Sequence, residues 1–324
     1  MDVACVGILV ADIFARPIAR LPDEGELTTT SGFETGVGGC AANVAVALRI
    51  LGCAVTIAGK VGTDMFGDFV ISDLRRHAVG VEHVRRTSNQ STSGTVIFAV
   101  QGEDRRYLHA IGANADFTLD DIDYTMLDDV RILYVGGYLA MPSFTPEQLV
   151  QLLQEARRRG LTTVLDVVMP AGISFGMQHV APALAYTDYF LPNQDEAARL
   201  TGHADARSQA ERLSALNPNC AVVITCGPRG SIAKHGDRII ETPPYRMETV
   251  DESGAGDAFT AGLIAGLLRN WDLEHALSLA GAVGASCTRA LGCSAGVFTF
   301  DEAVAFLESA DPLRNPAAGS GTER

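Results

Sequence analysis

VDESGAGDAFTAG, Val250 to Gly262, decides how the rest of the chain is read. Gly254, Ala255 and Gly256 sit between acidic side chains and run straight into an apolar segment with helical spacing. The first N–H groups of a helix have no partner inside it, and the helix dipole places partial positive charge there. A bare N-terminus is therefore an anion site. Small residues in the turn let successive backbone amides wrap into a concave nest for phosphate oxygens. Asp257, at the mouth of that nest, would repel a resting anion. Beside a reacting one it makes sense, because a carboxylate there accepts the proton of a hydroxyl as that oxygen attacks phosphorus. In isolation the same residues fit an ordinary turn and helix cap equally well.

The chain has 324 residues, enough for one large α/β domain or two ordinary ones. Hydrophobic content of 47% against 20% charged predicts a soluble globular protein with a substantial core. No apolar run approaches the ~18 residues of a membrane span. The opening MDVACVGILVADIF lacks a basic n-region and is broken by Asp12, so it reads as a first strand and not as an export signal. The net charge of −14 comes without any basic stripe, which speaks against nucleic acid as a partner. Cys5, Cys40, Cys53, Cys220, Cys226, Cys287 and Cys293 are scattered, odd in number and without a C-x-x-C pair. Free thiols in a reducing cytoplasm account for them.

Strand-length apolar runs alternate with helical patterns. Val3–Val10, Val55–Lys60, Ile132–Val135, Thr162–Asp166, Tyr189–Leu191 and Ala221–Thr225 read as strands. Ala41–Leu51, Phe66–His77, Pro146–Arg159, Asp195–Leu200 and Ala206–Leu216 read as helices. This alternation predicts a mostly parallel sheet covered on both faces. Two regions break the rhythm: the polar Leu21–Glu34, and Ser93–His109, two β-rich runs around Gly102–Asp104. Together they predict a small antiparallel flap outside the main sheet. From Gly254 onward the pattern is helical, over Ala255–Leu268, Leu273–Arg289 and Asp301–Glu308, before a Pro/Gly/Ser-rich tail expected to be disordered.

Gly36, Gly38 and Ala41 fit the dinucleotide pattern G-x-G-x-x-A, but the polar TTTSGFET before them offers no core strand, so a nicotinamide enzyme is not supported. Small residues there suit a helix packed closely on a sheet. Asn43 does not, unless something polar meets it. A Walker P-loop is absent, since Gly59-Lys60 is followed by Val61.

GGCAANVA (Gly38–Ala45) early and DESGAGDAF (Asp251–Phe259) late together resemble the ribokinase-like (PfkB) family of carbohydrate and nucleoside kinases, and the resemblance covers nearly the whole chain. Val3–Asp12 looks like the family's first strand, ending in an Asp for substrate hydroxyls. Lys60–Asp64 with Gly67 is similar to its G-x-D-x-x-G segment, Ile111–Ala115 to a lid stretch, Asn193–Glu196 to N-x-x-E, and Val223–Ser231 to the nucleotide-binding strand and turn. The resemblance implies Asp257 as catalytic base and Gly254, Ala255 and Gly256 as the anion hole. It implies Asp12, Gly38, Gly39 and Asn43 as sugar contacts, and Asn193, Thr225, Gly227 and Gly230 on the ATP side. Glu196 would serve Mg²⁺ through water, and Asp251 and Ser253 a monovalent cation such as K⁺.

Three departures stand out. Glu252 replaces the family's commoner Thr, VGGYLAMP after Tyr134 lacks ribokinase's acidic ligand, and LDVVMPAG lacks an Arg many relatives carry. The expectation is one kinase domain over residues 1–310 with a β lid from about 12–36 and 93–112, a tail over 311–324, and a homodimer through the lid. The reaction implied is ATP-dependent phosphorylation of a small sugar or polyol. A nucleoside kinase is the alternative, with Phe14, Phe33 and Tyr138 as a slot for the base; a non-catalytic sensor is a further one. A sugar phosphate is less expected, because Arg105 and Arg106 are the exceptions to a lid poor in basic residues. His109 is placed near the lid and substrate, the other histidines on surfaces and loops, and Trp271 between the C-terminal helices.

Overall fold

The run VACVG is apolar at every position, as a strand must be when helices cover both faces of its sheet. In the computed structural model, which describes residues 1–101 and 106–309, it is β1 (Val3–Gly7), buried throughout. There follow β2 (Val10–Ile18), β3 (Phe33–Gly38), α1 (Cys40–Ile50), β4 (Val55–Gly62), α2 (Met65–Arg76), β5 (Gly80–Thr87), β6 (Gly94–Val100) and β7 (Arg106–Ala110). Next come β8 (Ile132–Gly136), α3 (Pro146–Arg158), β9 (Thr162–Leu165), α4 (Ala181–Leu184), β10 (Tyr189–Phe190), α5 (Gln194–Thr201), α6 (Ala206–Ser214) and β11 (Ala221–Thr225). The chain closes with β12 (Ser231–His235), β13 (Arg238–Thr242), α7 (Ala255–Leu268), α8 (Leu273–Cys287) and α9 (Phe300–Ser309).

The main sheet runs β13-β12-β11-β10-β9-β8-β1-β4-β5. It is parallel from β5 to β11 and ends in the antiparallel pairs of β12 and β13. Alternation along the strands fills two cores. Val3, Cys5, Ile57 and Tyr134 face α1, α7 and α8, while Ala4, Val6, Leu133 and Leu165 face the α3 side. Helix α7 is apolar all round and correspondingly buried. Burial of Leu263 and Ile264, both 0% exposed, contributes about 2 kcal/mol each.

A second sheet stands apart, in the order β3-β2-β6-β7. The flap expected from sequence is therefore present, with two corrections. It is mixed, because β2 and β6 pair in parallel between antiparallel neighbours. One of its two inner strands is β2, and the single strand expected over Val3–Val10 runs past the end of β1 at Gly7 into the first residue of β2. Periodicity could not see the break. At Leu9 the side-chain amide of Asn114, 2% exposed, donates to the Leu9 carbonyl at 3.0 Å and accepts its N–H at 3.2 Å, in place of a strand partner. The chain crosses there from one sheet to the other.

The polar stretch Leu21–Glu34 supplies only the first two residues of β3. A strand does precede the glycines of α1, but it is an exposed strand of the small sheet and not the buried core strand a dinucleotide fold requires. Strands β5, β12 and β13 were not anticipated; β5 and β13 are edge strands with much of their surface in solvent. The Gly102–Asp104 turn and the 311–324 tail lie outside the described residues. Trp271 packs against Phe300 with ring centroids 5.7 Å apart, as expected. Among the described residues no helix is long and apolar enough to cross a membrane.

Candidate active site

Helix α7 begins without a side-chain cap. Its N-cap is Gly254 at φ 76°, a left-handed conformation that glycine adopts freely. A β-carbon there would also sit 2.6 Å from Cβ of Cys293, so no larger residue fits. Gly256, one turn-residue on, is different: the space a β-carbon would take is open for 4 Å. The first turn thus has open space beside Gly256, with the positive end of the helix behind it, while the Ala255 N–H donates to the Glu252 carbonyl at 3.3 Å.

Asp257 lies in that first turn. Asn43, on the buried face of α1 and 7% exposed, donates from Nδ2 to Asp257 Oδ2 at 2.8 Å. This explains the amide that a purely apolar packing face would not carry. Burial raises the Asp257 carboxyl above the usual carboxylate range, and hydrogen bonds from Asn43 and the Cys40 thiol oppose the rise.

Two neighbours were not read from the sequence as site residues. Ligand atoms of Cys40, Asp166 and Asp257 lie within 4.8 Å of one another. Asp166 directly follows β9, and Tyr134 Oη donates to its Oδ2 at 3.2 Å. Burial, then the charges of Glu196 and Asp257, push Asp166 well above its ordinary range. Burial and the charge of Asp257 likewise raise Glu196 to about 7, against the Asn193 N–H that lowers it. A signal for Asp166 existed. It is the acid that ends an apolar strand, and in parallel sheets ligands gather at the carboxyl ends of strands. Asp166 and Asp257 bring two carboxylates together beside the Cys40 thiol, and such hard oxygen donors fit a divalent cation such as Mg²⁺.

On the other side stands Asp12 of β2, 7% exposed, which burial pushes up to about 6 against a hydrogen bond from Thr95. Gly38 makes room for it, since a β-carbon there would lie 2.2 Å from Asp12 Oδ2. Gly39, at φ 93°, passes so close to the Ile8 carbonyl that a side chain is excluded. A cavity of about 200 Å³ opens nearby, walled by Phe14, Gly36, Asn43, Asp73, His77 and Cys293 among others. The Cys293 thiol, raised first by burial, is raised further by the charges of Asp12 and Asp257, so both acids border the same region. His77 belongs to this wall, where the sequence had suggested an ordinary surface residue.

Asn193 and Glu196 form the capping box of α5: Asn193 Oδ1 accepts from the Glu196 N–H, and Glu196 Oε2 from the Asn193 N–H, both at 2.9 Å. Thr225 is a parallel bridge partner of Asn193. Gly227 and Gly230 shape the turn from β11 to β12, where the Gly230 carbonyl accepts from the Cys226 N–H at 2.8 Å. These residues thus line up at the carboxyl edge of the sheet, and Glu196 is in electrostatic reach of Asp257. Asp251, 2% exposed, accepts from the N–H groups of Ser253 (2.7 Å) and Gly292 (2.9 Å), tying the approach to α7 to the loop after α8. Glu252 is exposed.

The aromatic slot does not assemble. Phe14 lines the cavity, but Phe33 is 70% exposed, and Tyr138, 2% exposed, packs edge-on against Phe144 in the core with its hydroxyl on the His179 carbonyl. His109 is exposed on β7, with Nδ1 3.0 Å from Thr95 Oγ1.

The chain is similar to several known proteins. A deoxyribokinase of Salmonella typhi is 28% identical over 289 residues, covering 86% of this chain and 90% of its own. A 2-dehydro-3-deoxygalactonokinase of Haloferax volcanii is 29% identical over 312 residues, covering 92% and 96%. The structure of Arabidopsis thaliana ribokinase complexed with ribose and ATP superposes with a TM-score of 0.80 at 23% identity, over 95% of this chain and 98% of that one. The family described as pfkB family carbohydrate kinase matches residues 1–299, and the chain belongs to it.

Proposed function

We propose that this carbohydrate kinase transfers the γ-phosphoryl group of ATP to a hydroxyl of a small sugar or sugar-like polyol. One observation carries the reading: Asp257 is held by Asn43 at the uncapped start of α7, in the region that Asp12 also borders. Asp12, Gly38, Gly39 and Asn43 would hold the acceptor. Asp257 takes the hydroxyl proton as that oxygen bonds to the γ-phosphorus; the bond from phosphorus to the β,γ-bridging oxygen breaks and ADP leaves. A raised carboxyl keeps that proton better than an ordinary one, which suits a base. The amides of Gly254 and Gly256, and that of Ala255 once freed from its 3.3 Å bond to the Glu252 carbonyl, would face the charge that develops on the transferring group. Asn193, Thr225, Gly227 and Gly230 would hold the nucleotide. Glu196, through water, and Asp166 would hold Mg²⁺, which when bound neutralises charge on the phosphates.

The finer parts of the reading are these. Residues 1–310 act as one kinase unit, with the small sheet (about 12–36 and 93–112) as a lid that excludes water on closing. Phe33, Tyr107 and Leu108, all exposed apolar residues of that sheet, suit a homodimer through the lid. Asp251 and Ser253 would serve a monovalent cation such as K⁺; Glu252 points to solvent and leaves Asp251 in place. Seven free cysteines suit a cytoplasmic protein. Of the three rings that a nucleoside slot would use, one lines the cavity, which favours the polyol over the nucleoside.

The test is ADP release with Mg²⁺ over pentoses, hexoses, sugar acids, inositols and nucleosides. A polyol is expected to stimulate release strongly; a nucleoside as best acceptor would replace this reading, and no acceptor-dependent ADP would favour a non-catalytic sensor.

A further inference from the structure

The small sheet extends the polar row that begins at Asp12 to two residues with no assigned role. Asp12 of β2 lies opposite Thr95 of β6, and Thr95 opposite His109 of β7, so the three share one face of the small sheet. His109 Nδ1 lies 3.0 Å from Thr95 Oγ1, and Thr95 stands across the strand pair from Asp12, whose carboxyl it helps to keep ionised. A threonine hydroxyl has one proton. Directed to the ionised Asp12, it leaves Thr95 Oγ1 to accept, and the matching tautomer of His109 is the one that donates from Nδ1. The neutral ring then presents Nε2 as a hydrogen-bond acceptor. Side chains two residues apart share a face of a strand, so this row adjoins Phe14, which lines the cavity.

The carboxylates near that cavity outnumber its cations. Glu34 and Asp73 are in its wall, Asp73 paired with Arg76; Asp12 lies across from Gly36 and Asp257 is bonded by Asn43, both wall residues; and among the described residues of the wall there is no lysine or arginine. Arg106 projects from the opposite face of β7, as its register with Phe98 and that of His109 with Thr95 require; Arg105 lies outside the described residues.

We propose that His109 is a specificity-determining residue: oriented by Thr95, its Nε2 accepts a hydrogen bond from an acceptor hydroxyl, and with Asp12 it selects an uncharged polyol over a sugar phosphate or a sugar acid. Two adjacent acceptor groups welcome hydroxyls, which donate. A phosphate or carboxylate brings only lone pairs and like charge to the same place. The selectivity rests on the kinase reading above.

The experiment measures ADP release and calorimetric binding for uncharged sugars, their phosphate esters and their carboxylate counterparts, with the wild type and the variants His109→Ala, His109→Gln and Thr95→Val. Uncharged sugars are expected to be the best acceptors. His109→Ala should raise their KM about three- to tenfold, the worth of one hydrogen bond, with kcat within about twofold. Glutamine, which can donate to Thr95 and still accept, should recover most of the loss, and Thr95→Val should fall between. An unchanged KM and affinity in His109→Ala, or a phosphorylated or carboxylated acceptor outrunning the uncharged ones, would overturn the proposal. If the wild type shows no acceptor-dependent ADP, the kinase reading fails; uncharged sugars that still bind, with affinity lost in His109→Ala, would keep the contact, whereas binding indifferent to that change would remove it.

Discussion

Two helices begin at the same edge of the main sheet, and they begin differently. Helix α5 is closed by its own side chains, with Asn193 and Glu196 each accepting the other's backbone N–H at 2.9 Å. Helix α7 has a left-handed glycine for a cap and no side chain on its first amides. A capped N-terminus has spent its free donors; an uncapped one keeps them for a ligand. Asp257 beside the open end and Glu196 inside the closed end are both carboxylates raised by burial, yet one is held by a side-chain amide from another element and the other by its own helix. The difference separates a place for chemistry from a place for support.

That contrast is broken most directly at Asp257. Asp257→Asn keeps the size and loses the proton acceptor, so kcat should fall about 10²–10⁴-fold, the usual worth of a general base, with nucleotide and acceptor affinity largely kept. Unchanged turnover would remove the assigned base. The glycines sharpen it next. Gly256→Val points into open space, so the melting temperature should hold while kcat drops about 10²-fold or more as the cup is filled. Gly254→Val meets Cys293 and a left-handed backbone, and should instead cost stability, on the order of 2 kcal/mol or more in thermal or urea unfolding. If both variants lost only stability, the opening of α7 would be packing and nothing more.

How much of this could be read from residues alone differs between the two ends of the argument. The sheet and the helix α7 were legible because burial on both faces leaves a plain signal: VACVG without a polar residue, and an apolar run straight after GAGD. Asn43 was legible as an anomaly, a polar residue on an otherwise apolar helix, although its partner Asp257 is 214 positions away and no local pattern names it. The β1–β2 break was hidden because what ends β1 is Asn114, 105 positions distant. Asp166 was overlooked for a similar reason, since its role comes from crowding with Cys40 and Asp257, a property of the assembled site. Tyr138 misled the other way; an aromatic after two glycines looked available for a ligand and is in fact core.

The acid cluster predicts a stability that depends on pH and on Mg²⁺. Glu196 rises from 4.5 to about 7 and Asp12 from 3.8 to about 6 in the folded protein, so the native state holds protons that the unfolded chain has already released. Stability from these groups is full below their unfolded values and is lost as pH climbs through the window from about 4 to about 7. Melting temperature without Mg²⁺ should therefore fall across that window. Millimolar Mg²⁺ should flatten the slope by compensating the charge, and Glu196→Gln should flatten it without metal. A slope that ignores both would mean the cluster is compensated by other means.

The smallest effect isolates the closed end. Asn193→Ala removes the acceptor of the Glu196 N–H and should cost about 1 kcal/mol, the usual loss for a helix cap, or a few degrees in Tm. Helix α3 provides the control, because Thr145 and Gln148 form the same kind of capping box remote from the acid cluster. Thr145→Ala should lose a similar amount. Stability alone cannot tell these two caps apart, but Mg²⁺ can: without the Asn193 side chain the first turn of α5, which carries Glu196, loosens even though the backbone N–H of residue 193 still bonds that carboxylate, so the Mg²⁺ concentration for half-maximal ADP release should rise in Asn193→Ala and stay put in Thr145→Ala. Equal Mg²⁺ curves in the two variants would make the α5 cap a structural device only, and would leave the metal side of the site to Asp166.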